Sequence, residues 1–529
     1  MQRRPEKKKK KDTRERKKDQ ALLRMVLTEI PERYVDLYPL ARRMKRRFVL
    51  HIGPTNSGKT YTAIEDLMQA ETGIYLAPLR LLAYEQYEKM NRADCPCSLV
   101  TGEEQYIIED ARHQSSTIEM LDITRQYDVA VIDEAQMIAD MERGGAWAAA
   151  VMGVRAPVVH GCAALEAEAL LIRIIADCGD EYEVVRHERM TPLVFEKKMV
   201  HFPKDVRAGD ALIVFSRRNV HAVAAQLQRR KVKCSIIYGA LPYDVRHRQA
   251  EMFAGGETEV VVATDAIGMG MNLPIRRVVL METAKYDGRH VRSLKNEEVR
   301  QITGRAGRYG IYNTGYAAVA NGDFRVREAL AEEPTPLNCA VIGFPESLLS
   351  IDATMVELIG KWTQVVPAEG WEKESIEQML RLAEMVSKYH APKKLEYDFL
   401  TIPFDDDEEV LLDIWYRTFV MEVREIPYSI REEVSSIAIA RVGDHDSIGT
   451  LERQHRILDL YFNLARKFQP EQETLDLIME KKRICSERIM KILEKQKLSG
   501  KKCRMCGREL PWNYPYGVCE KCHYSAYGY

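Results

Sequence analysis

One glycine-rich segment constrains the fold of this chain more than any other feature. It reads Gly53-Pro54-Thr55-Asn56-Ser57-Gly58-Lys59-Thr60 and lies between an apolar run, residues 48–52, and a helix-like segment, residues 61–69. Between a strand and a helix, this pattern predicts a phosphate-binding loop, because backbone N–H groups and the helix N-terminus face the phosphates. Lys59 is then expected to contact the β- and γ-phosphates, and Thr60 to coordinate Mg²⁺. The sequence therefore predicts binding of a nucleoside triphosphate; a glycine turn that binds nothing is the alternative.

An acidic pair, Asp133 and Glu134, forms the second motif. It follows the apolar run 129–132, one of several short β-rich runs that alternate with helix-like segments and so indicate a parallel sheet covered by helices. Ligands bind at the carboxyl edge of such a sheet, where this pair would lie. Asp133 is expected to hold Mg²⁺ and Glu134 to orient and deprotonate the attacking water. A helix N-cap is the alternative, and the phosphate-binding loop upstream favours the catalytic interpretation.

A second set of alternating elements begins near residue 211 and contains no second glycine–lysine loop. Its chemical feature is the octet Gln-Ile-Thr-Gly-Arg-Ala-Gly-Arg at 301–308, in which Arg305 and Arg308 share one face of a helix. Guanidinium groups suit phosphate oxygens, and an arginine at the γ-phosphate stabilises the charge of the transition state. A basic surface helix is the alternative for the octet alone, but residues 264–272 upstream favour a catalytic role.

Two C-x-x-C pairs separated by twelve residues lie near the end of the sequence: Cys503, Cys506, Cys519 and Cys522. This spacing predicts a Cys₄ zinc site, which is structural because four thiolates leave no open coordination position. Free thiols in a flexible tail are the alternative. Aromatic residues lie in or beside the pairs and can either stack on bases or pack over the metal. They are Trp512, Tyr514, Tyr516 and Tyr524.

Charge is distributed unevenly. Residues 1–18 hold eleven Lys or Arg against three acids, a local balance of +8, although the whole chain carries −1. Such a block predicts a disordered arm that can also bind phosphate backbones, and its lysines and acids are atypical of a mitochondrial transit peptide. Eleven cysteines without an export signal fit a reducing compartment. We expect a cytoplasmic location, with the mitochondrial matrix as the alternative, and no membrane partner, since no apolar run reaches the roughly 18 residues that span a bilayer.

Together, the motifs resemble those of superfamily 2 helicases of the DEAD/DExH type, and more narrowly those of the mitochondrial RNA-degradosome helicase and its bacterial relatives. The resemblance covers residues 48–320. Beyond the two motifs at 53–61 and 301–308, it rests on Ala-Pro-Leu-Arg-Leu-Leu-Ala (77–83), Thr-Gly-Glu-Glu (101–104), Thr-Ile-Glu-Met (117–120), Ile-Tyr-Gly-Ala-Leu-Pro (237–242), Ala-Thr-Asp-Ala-Ile-Gly-Met-Gly-Met-Asn-Leu (263–273) and Lys-Tyr-Asp-Gly (285–288).

The resemblance implies two RecA-like domains with ATP and Mg²⁺ between them. The second domain would contribute Asp265 and Gly268 to nucleotide binding and Gln301, Arg305 and Arg308 to catalysis. Single-stranded nucleic acid would cross both domains, contacted without regard to sequence by hydroxyl, amide and arginine groups. The matching positions are Pro78, Arg80, Thr101, Gly102, Thr117, Ser216 and Thr264. Turns and caps are the alternative for each of them.

One motif departs from the family pattern. The coupling segment, which usually reads Gly-Glu-Pro-Ala-Ala, is His-Gly-Cys-Ala-Ala at residues 160–164. Hydrolysis is expected to survive this change, whereas the tightness of its coupling to unwinding stays open.

The sequence thus predicts an α/β fold of two tandem RecA-like P-loop domains with parallel sheets, a helical accessory domain and a zinc knuckle. The expected boundaries are a basic arm (1–20), a helical segment (21–47), the two domains (48–190 and 191–330), the accessory region (331–500) and the zinc tail (501–529). We expect an ATP-dependent RNA helicase acting on single-stranded or tailed RNA in RNA processing or decay. The resemblance suggests 3′-to-5′ movement and an exoribonuclease partner. A DNA helicase or translocase, and a nucleic-acid-binding scaffold with an uncoupled ATPase, are the alternatives.

Overall fold

The computed structural model of the chain describes residues 4–268, 273–287, 290–320, 325–441, 447–494, 501–514 and 516–527, with side chains from Arg16 onward. Residues 269–272, the end of the motif 264–272, and Gly288 lie outside the described residues.

The chain begins with a long helix, where the sequence predicted a disordered arm. Helix α1 spans Arg4–Glu29, and a single turn, α2, spans Pro39–Arg42. The difference has a physical reason, because Lys, Arg and Glu are good helix formers and Pro5 stands in the first turn, where proline is tolerated. The later part of α1 is also anchored, since Val26 is buried and Asp19 pairs with Lys361 of the accessory region.

The first domain is built on an eight-stranded sheet in the order β4-β3-β5-β2-β6-β7-β1-β8, parallel except for β4. Its strands are β1 Arg47–Ile52, β2 Gly73–Ala77, β3 Cys97–Val100, β4 Gln105–Tyr106, β5 His113–Thr117, β6 Val129–Ile132, β7 Val158–Ala163 and β8 Glu181–Arg186. Its helices are α3 Lys59–Gln69, α4 Arg80–Arg92, α5 Gly144–Gly153 and α6 Glu168–Asp177. Most central strands are buried on both faces, as expected of a parallel sheet covered by helices.

The second domain has a six-stranded, wholly parallel sheet in the order β11-β12-β10-β13-β16-β9. Its strands are β9 Leu193–Phe195, β10 Asp210–Ile213, β11 Cys234–Ile237, β12 Val260–Ala263, β13 Arg277–Leu280 and β16 Gly315–Val319. An antiparallel pair, β14 Ala284–Tyr286 and β15 Val291–Ser293, stands apart from it. The helices are α7 Arg217–Arg229, α8 Tyr243–Ala254, α9 Asn296–Thr303 and α10 Arg325–Ala331. Two tandem α/β domains with parallel sheets were predicted, and this prediction is confirmed.

The accessory region is mainly helical, as the three- and four-residue spacing of its apolar residues predicts. It also contains a short parallel pair that the sequence analysis missed, β17 Ala340–Ile342 and β18 Trp371–Lys373. The helices are α11 Met355–Gln364, α12 Glu377–Val386, α13 Lys393–Leu400, α14 Glu409–Val423, α15 Ile430–Ser436, α16 Ser447–Phe468 and α17 Gln472–Glu494, and α18 Glu520–Tyr527 follows in the tail. Within the described ranges, no helix has both the length and the apolar composition needed to cross a bilayer.

Candidate nucleotide and nucleic-acid sites

The glycine-rich loop joins the carboxyl end of β1 to the first residue of α3, Lys59. Gly58 has a φ of 80°, a backbone conformation that favours glycine. The Lys59 ammonium donates to the carbonyl of Gly53 at 3.1 Å and to that of Pro54 at 3.4 Å. The loop therefore curls around the lysine amine, as a phosphate-binding loop requires.

Asp133 follows β6 and is held beside the first residues of α3. Its carboxylate accepts from Thr60 Oγ1 at 3.1 Å and from the Tyr75 hydroxyl at 2.7 Å. Burial raises the pKa of Asp133 and the Glu134 charge raises it further, while the Tyr75 hydrogen bond opposes both. A hydroxyl and a carboxylate oxygen 3.1 Å apart at the end of the loop form the oxygen-donor set that Mg²⁺ prefers. The residues present fit this ion.

Glu134 adopts a left-handed conformation, with φ 47° and ψ 47°, which is uncommon for a residue other than glycine and found often at functional sites. Its carboxylate accepts a hydrogen bond from Gln136 Nε2. The Gln136 side-chain oxygen in turn accepts from the backbone N–H of Ala164 at 3.1 Å. Gln136 thus links the expected general base to the coupling segment 160–164. The sequence analysis gave it no role, although its place directly after Asp-Glu-Ala was visible.

The coupling segment also carries an unexpected contact at His160, where it departs from the family pattern. His160 Nδ1 lies 3.0 Å from His51 Nε2, and His51 Nδ1 lies 3.0 Å from His187 Nε2. Burial, and then the two neighbouring imidazoles, lower the pKa of His51 to about 4. At neutral pH His51 is therefore uncharged, and the three rings connect β7, β1 and the segment after β8 by hydrogen bonds.

Arg305 reaches from the second domain to the first. Its guanidinium donates twice to the carbonyl of Gly268, at 3.0 and 2.6 Å, and lies 4.0 Å from the Glu134 carboxylate. Burial lowers the pKa of Arg305, and the Glu134 charge opposes that change. The charges of Arg308 and Arg305 both oppose the rise in the pKa of Glu85 of α4 that burial causes. Helix α9 ends at Thr303, so the prediction that the two arginines share one face of a helix is wrong.

A cavity of about 660 Å³ lies between the two domains. Lys59 and Glu134 line it from the first domain and Gln301 from the second. Its volume falls within the range of about 300–1,000 Å³ that is common for small-molecule and cofactor sites. The cavity thus brings together, from both domains, groups that the sequence analysis assigned to ATP hydrolysis.

The other two residues assigned to the nucleotide contact protein groups. The Asp265 carboxylate pairs with Lys285 Nζ at 2.9 Å, and Lys285 also pairs with Glu298 at 2.7 Å. Gly268 presents its carbonyl to Arg305, as described above. Direct contact of Asp265 and Gly268 with ATP stays a prediction.

Two residues expected to contact a nucleic-acid strand are covered by protein. Arg80 pairs with Glu104 at 2.6 Å and also with Glu103, and its guanidinium lies 5.1 Å from the centre of the Tyr243 ring. Thr101 is fully buried and uses its hydroxyl to bond the carbonyl of Glu104 at 3.0 Å. These side chains hold a turn together. Thr101 is closed to a strand in this arrangement of the domains, whereas Arg80 also lines a cavity of about 1050 Å³ between the first domain and the accessory helices.

The accessory helices close over the same turn. Arg466 of α16 donates to the carbonyl of Thr101 at 2.9 Å, and Lys482 of α17 donates to that of Glu103 at 2.9 Å. These contacts join residues more than 350 positions apart, so they could not be predicted from the sequence.

Among the five remaining positions, Ser216 and Thr264 have the side-chain contacts of caps and turns. Ser216 caps α7 by accepting from the N–H of Asn219 at 3.1 Å, and the Pro78 carbonyl accepts from Arg143 at 2.6 Å. Thr117 and Thr264 are nearly buried, whereas a side chain at Gly102 would meet open space. A nucleic-acid role for these positions therefore stays a prediction.

The four tail cysteines form a compact cluster, with all four sulfur atoms within 4.8 Å of one another. The N–H of Cys519 donates to Cys503 Sγ at 3.2 Å and lowers the pKa of Cys503 to about 6, which favours the thiolate that binds metal. Trp512 packs edge-on against Phe202 at 6.2 Å, and Glu509 pairs with Arg229 of α7. The donor set fits Zn²⁺, and Trp512 anchors the module on the second domain, so it is not free to stack on bases.

Comparison with known proteins adds sequence evidence to this geometry. A family model described as the DEXQ-box helicase domain of Suv3 matches residues 35–187, and one described as the helicase conserved C-terminal domain matches residues 196–310. The chain is 33% identical over 493 residues to the "DExH-box ATP-dependent RNA helicase DExH16, mitochondrial" of Arabidopsis thaliana, covering 87% of this chain and 83% of that protein. It is also 33% identical over 473 residues to the "ATP-dependent RNA helicase SUV3, mitochondrial" of Oryza sativa subsp. japonica, covering 87% and 81%.

The chain matches a smaller share of a human relative. The "ATP-dependent RNA helicase SUPV3L1, mitochondrial" of Homo sapiens is 32% identical over 469 residues, covering 82% of this chain and 58% of that protein. All three relatives are mitochondrial by name, which contradicts the cytoplasmic location expected from the sequence. The lysine-rich composition of residues 1–18, which is atypical of a transit peptide, was therefore not enough to predict a cytoplasmic location.

Proposed function

Because this chain belongs to the Suv3 family of DExH-box helicases, we propose that it is an ATP-dependent RNA helicase of the mitochondrial matrix. The observation that carries the proposal is the approach of Arg305 to Glu134, 4.0 Å apart, because Glu134 lines the cavity between the domains together with Lys59 and Gln301. An arginine and a general base from different domains meet only when the cleft is closed. Hydrolysis of ATP in the cleft is thereby linked to the relative position of the two domains.

Each residue has a separate part in the proposed reaction. Lys59 binds the β- and γ-phosphates, and Thr60 and Asp133 hold Mg²⁺, which neutralises charge that develops on the phosphate oxygens. Glu134 takes the proton of the attacking water, and Arg305 stabilises the negative charge of the transition state. Gln136 connects Glu134 to Ala164 and so transmits the state of the site to the coupling segment.

The proposed substrate is single-stranded or tailed RNA, contacted through its backbone without regard to sequence. In support, a cavity of about 1050 Å³ lies between the first domain and the accessory helices, lined by Arg80, Tyr106 and Lys482, and could hold a strand beside the turn at 101–104. We further propose 3′-to-5′ movement and delivery of the unwound strand to an exoribonuclease, in RNA processing or decay. The proposal is tested by the dependence of ATP hydrolysis on RNA, which should be strong.

The tail cysteines are proposed to hold one structural Zn²⁺ per chain. Without metal, a hydrogen bond with Cys506 raises the pKa of Cys522 to about 12, so at least one of the four cysteines stays a thiol. The small hydrophobic cluster of the tail is too limited to hold the four sulfur atoms within 4.8 Å of one another by itself. Metal analysis of protein purified without chelator is expected to give about one zinc atom per chain. Chelation should release the contact of Trp512 with Phe202, seen as a change in tryptophan fluorescence. Cys485→Ser, which changes a cysteine outside the cluster, is the control and should keep its zinc. Absence of zinc together with four reactive thiols would contradict the proposal.

A further inference from the structure

Arg189 lies in the segment that joins the two domains, between the end of β8 at Arg186 and the start of β9 at Leu193. Sequence analysis gave this residue no role. Its guanidinium donates to four backbone carbonyls from three parts of the chain. Nε bonds Thr191 at 2.7 Å, Nη1 bonds Thr55 at 3.0 Å and Gly304 at 2.8 Å, and Nη2 bonds Ala306.

Two of these carbonyls belong to the residues on either side of Arg305. Gly304 and Ala306 are the residues directly before and after Arg305. A further acceptor, Thr55, belongs to the phosphate-binding loop. Asn56 of the same loop donates to the same two carbonyls, at 3.0 and 3.5 Å. The backbone that carries Arg305 is therefore fixed against the phosphate-binding loop from both sides.

The charge of Arg189 is stabilised in an unusual way. Among the described residues its acceptors are all backbone carbonyls, and burial lowers its pKa to about 10. At neutral pH it is still a cation; it is half-buried, lines the cavity between the domains and bonds its acceptors through a planar fork of donors that only arginine supplies. Desolvation of a cation is costly, so the contact is expected to persist only while the loop, the linker and the 304–306 segment stay together.

We propose that Arg189 is a positioning residue for Arg305: it sets the arginine finger against the phosphate-binding loop when the cleft closes. This inference rests on the proposed function, because it assumes that Arg305 acts on the γ-phosphate. Arg189 acts through the backbone of Arg305, whose side chain then reaches the carbonyl of Gly268 and the carboxylate of Glu134. A displacement of a catalytic group by about 1 Å can lower a rate about 100-fold. This restraint on Arg305 is therefore expected to affect kcat.

The test is a double-mutant cycle of Arg189→Met and Arg305→Ala, with hydrolysis of radiolabelled ATP measured in single turnovers at saturating RNA. In the wild-type background, Arg189→Met is expected to lower the rate about 10- to 100-fold with little change in ATP affinity. In the Arg305→Ala background the same change should have an effect below about twofold, because the group that Arg189 positions is already absent. Arg189→Lys keeps the positive charge but not the planar set of donors, so it should lower the rate less than Arg189→Met does. It replaces the Met variant in the cycle if that variant does not fold.

A matched control is Arg186→Met, since Arg186 lies at the end of β8 and pairs with Glu168 on the surface. Its rate should stay within about twofold of wild type, as for most surface substitutions. An equal loss from Arg189→Met in both backgrounds would overturn the positioning role while leaving Arg305 as the finger. A loss of ATP affinity as large as the loss of rate would mean that Arg189 binds ATP directly. If Arg305→Ala itself leaves the rate unchanged, the finger assignment fails and this inference fails with it.

Discussion

Replacing Glu134 by glutamine is expected to stop ATP turnover while leaving ATP binding almost unchanged. The amide keeps the shape of the side chain and can still accept from Gln136, but it cannot take a proton from the attacking water. General bases contribute about 10²- to 10⁴-fold to catalysed rates, so the loss in kcat should fall in that range. The measurement pairs steady-state hydrolysis with the affinity for a fluorescent ATP analogue.

The control for this variant is Glu142→Gln, which neutralises an exposed acid a few residues further along the same segment. It should hydrolyse ATP at the wild-type rate. Turnover by Glu134→Gln near that of wild type would show that another group accepts the proton, and a large loss of ATP affinity would show that Glu134 binds the nucleotide.

Arg305→Ala is expected to have the largest effect on kcat of any change in the second domain. Arginine fingers contribute about 10³- to 10⁵-fold where they have been measured, and this half-buried guanidinium lies 4.0 Å from the Glu134 carboxylate. Removing it leaves the transition-state charge without its cation, while Lys59 still binds the phosphates. The affinity for ATP should therefore change much less than kcat.

Two comparisons sharpen that measurement. Arg308→Ala is expected to cost less than Arg305→Ala, because the guanidinium of Arg305 lies 4.0 Å from the Glu134 carboxylate. Arg248→Ala removes an exposed arginine of α8 that pairs with Glu257 and should leave hydrolysis unchanged. Unfolding temperatures of all three variants distinguish lost chemistry from lost folding. A decrease in kcat below tenfold for Arg305→Ala would contradict its role as an arginine finger.

The nucleotide site could be predicted from the sequence largely because its chemistry is local. The loop at 53–60 and the pair at 133–134 each carry their meaning in a few adjacent residues, and the alternation of strands and helices places both at one sheet edge. Gln136 and Arg189 are different, because neither forms a motif of its own. Their partners Ala164 and Gly304 lie 28 and 115 residues away, so their roles depend on the tertiary structure.

The strand-contacting positions show where motif reasoning stops. Arg80 and Thr101 belong to segments that match the family closely, yet their side chains are engaged by Glu104, and Arg466 bonds the carbonyl of Thr101. A motif shows which residues a segment contains. It does not show whether the accessory helices cover the surface on which those residues lie. For residues 4–20 the sequence predicted a disordered arm because of their charge, whereas the structure has helix α1 there. Lysine, arginine and glutamate are good helix formers, which explains the difference.

The central claim is that RNA in the strand path drives ATP hydrolysis in the cleft, and the most direct test is the rate of hydrolysis measured three ways. Wild-type protein is assayed with single-stranded RNA, with single-stranded DNA of the same sequence, and without nucleic acid, at one salt concentration because such binding depends strongly on salt. The account predicts a rate that RNA raises many-fold, that DNA raises less, and that is lowest without nucleic acid. Greater stimulation by DNA would favour a DNA helicase or translocase. Equal rates under all three conditions would contradict the account.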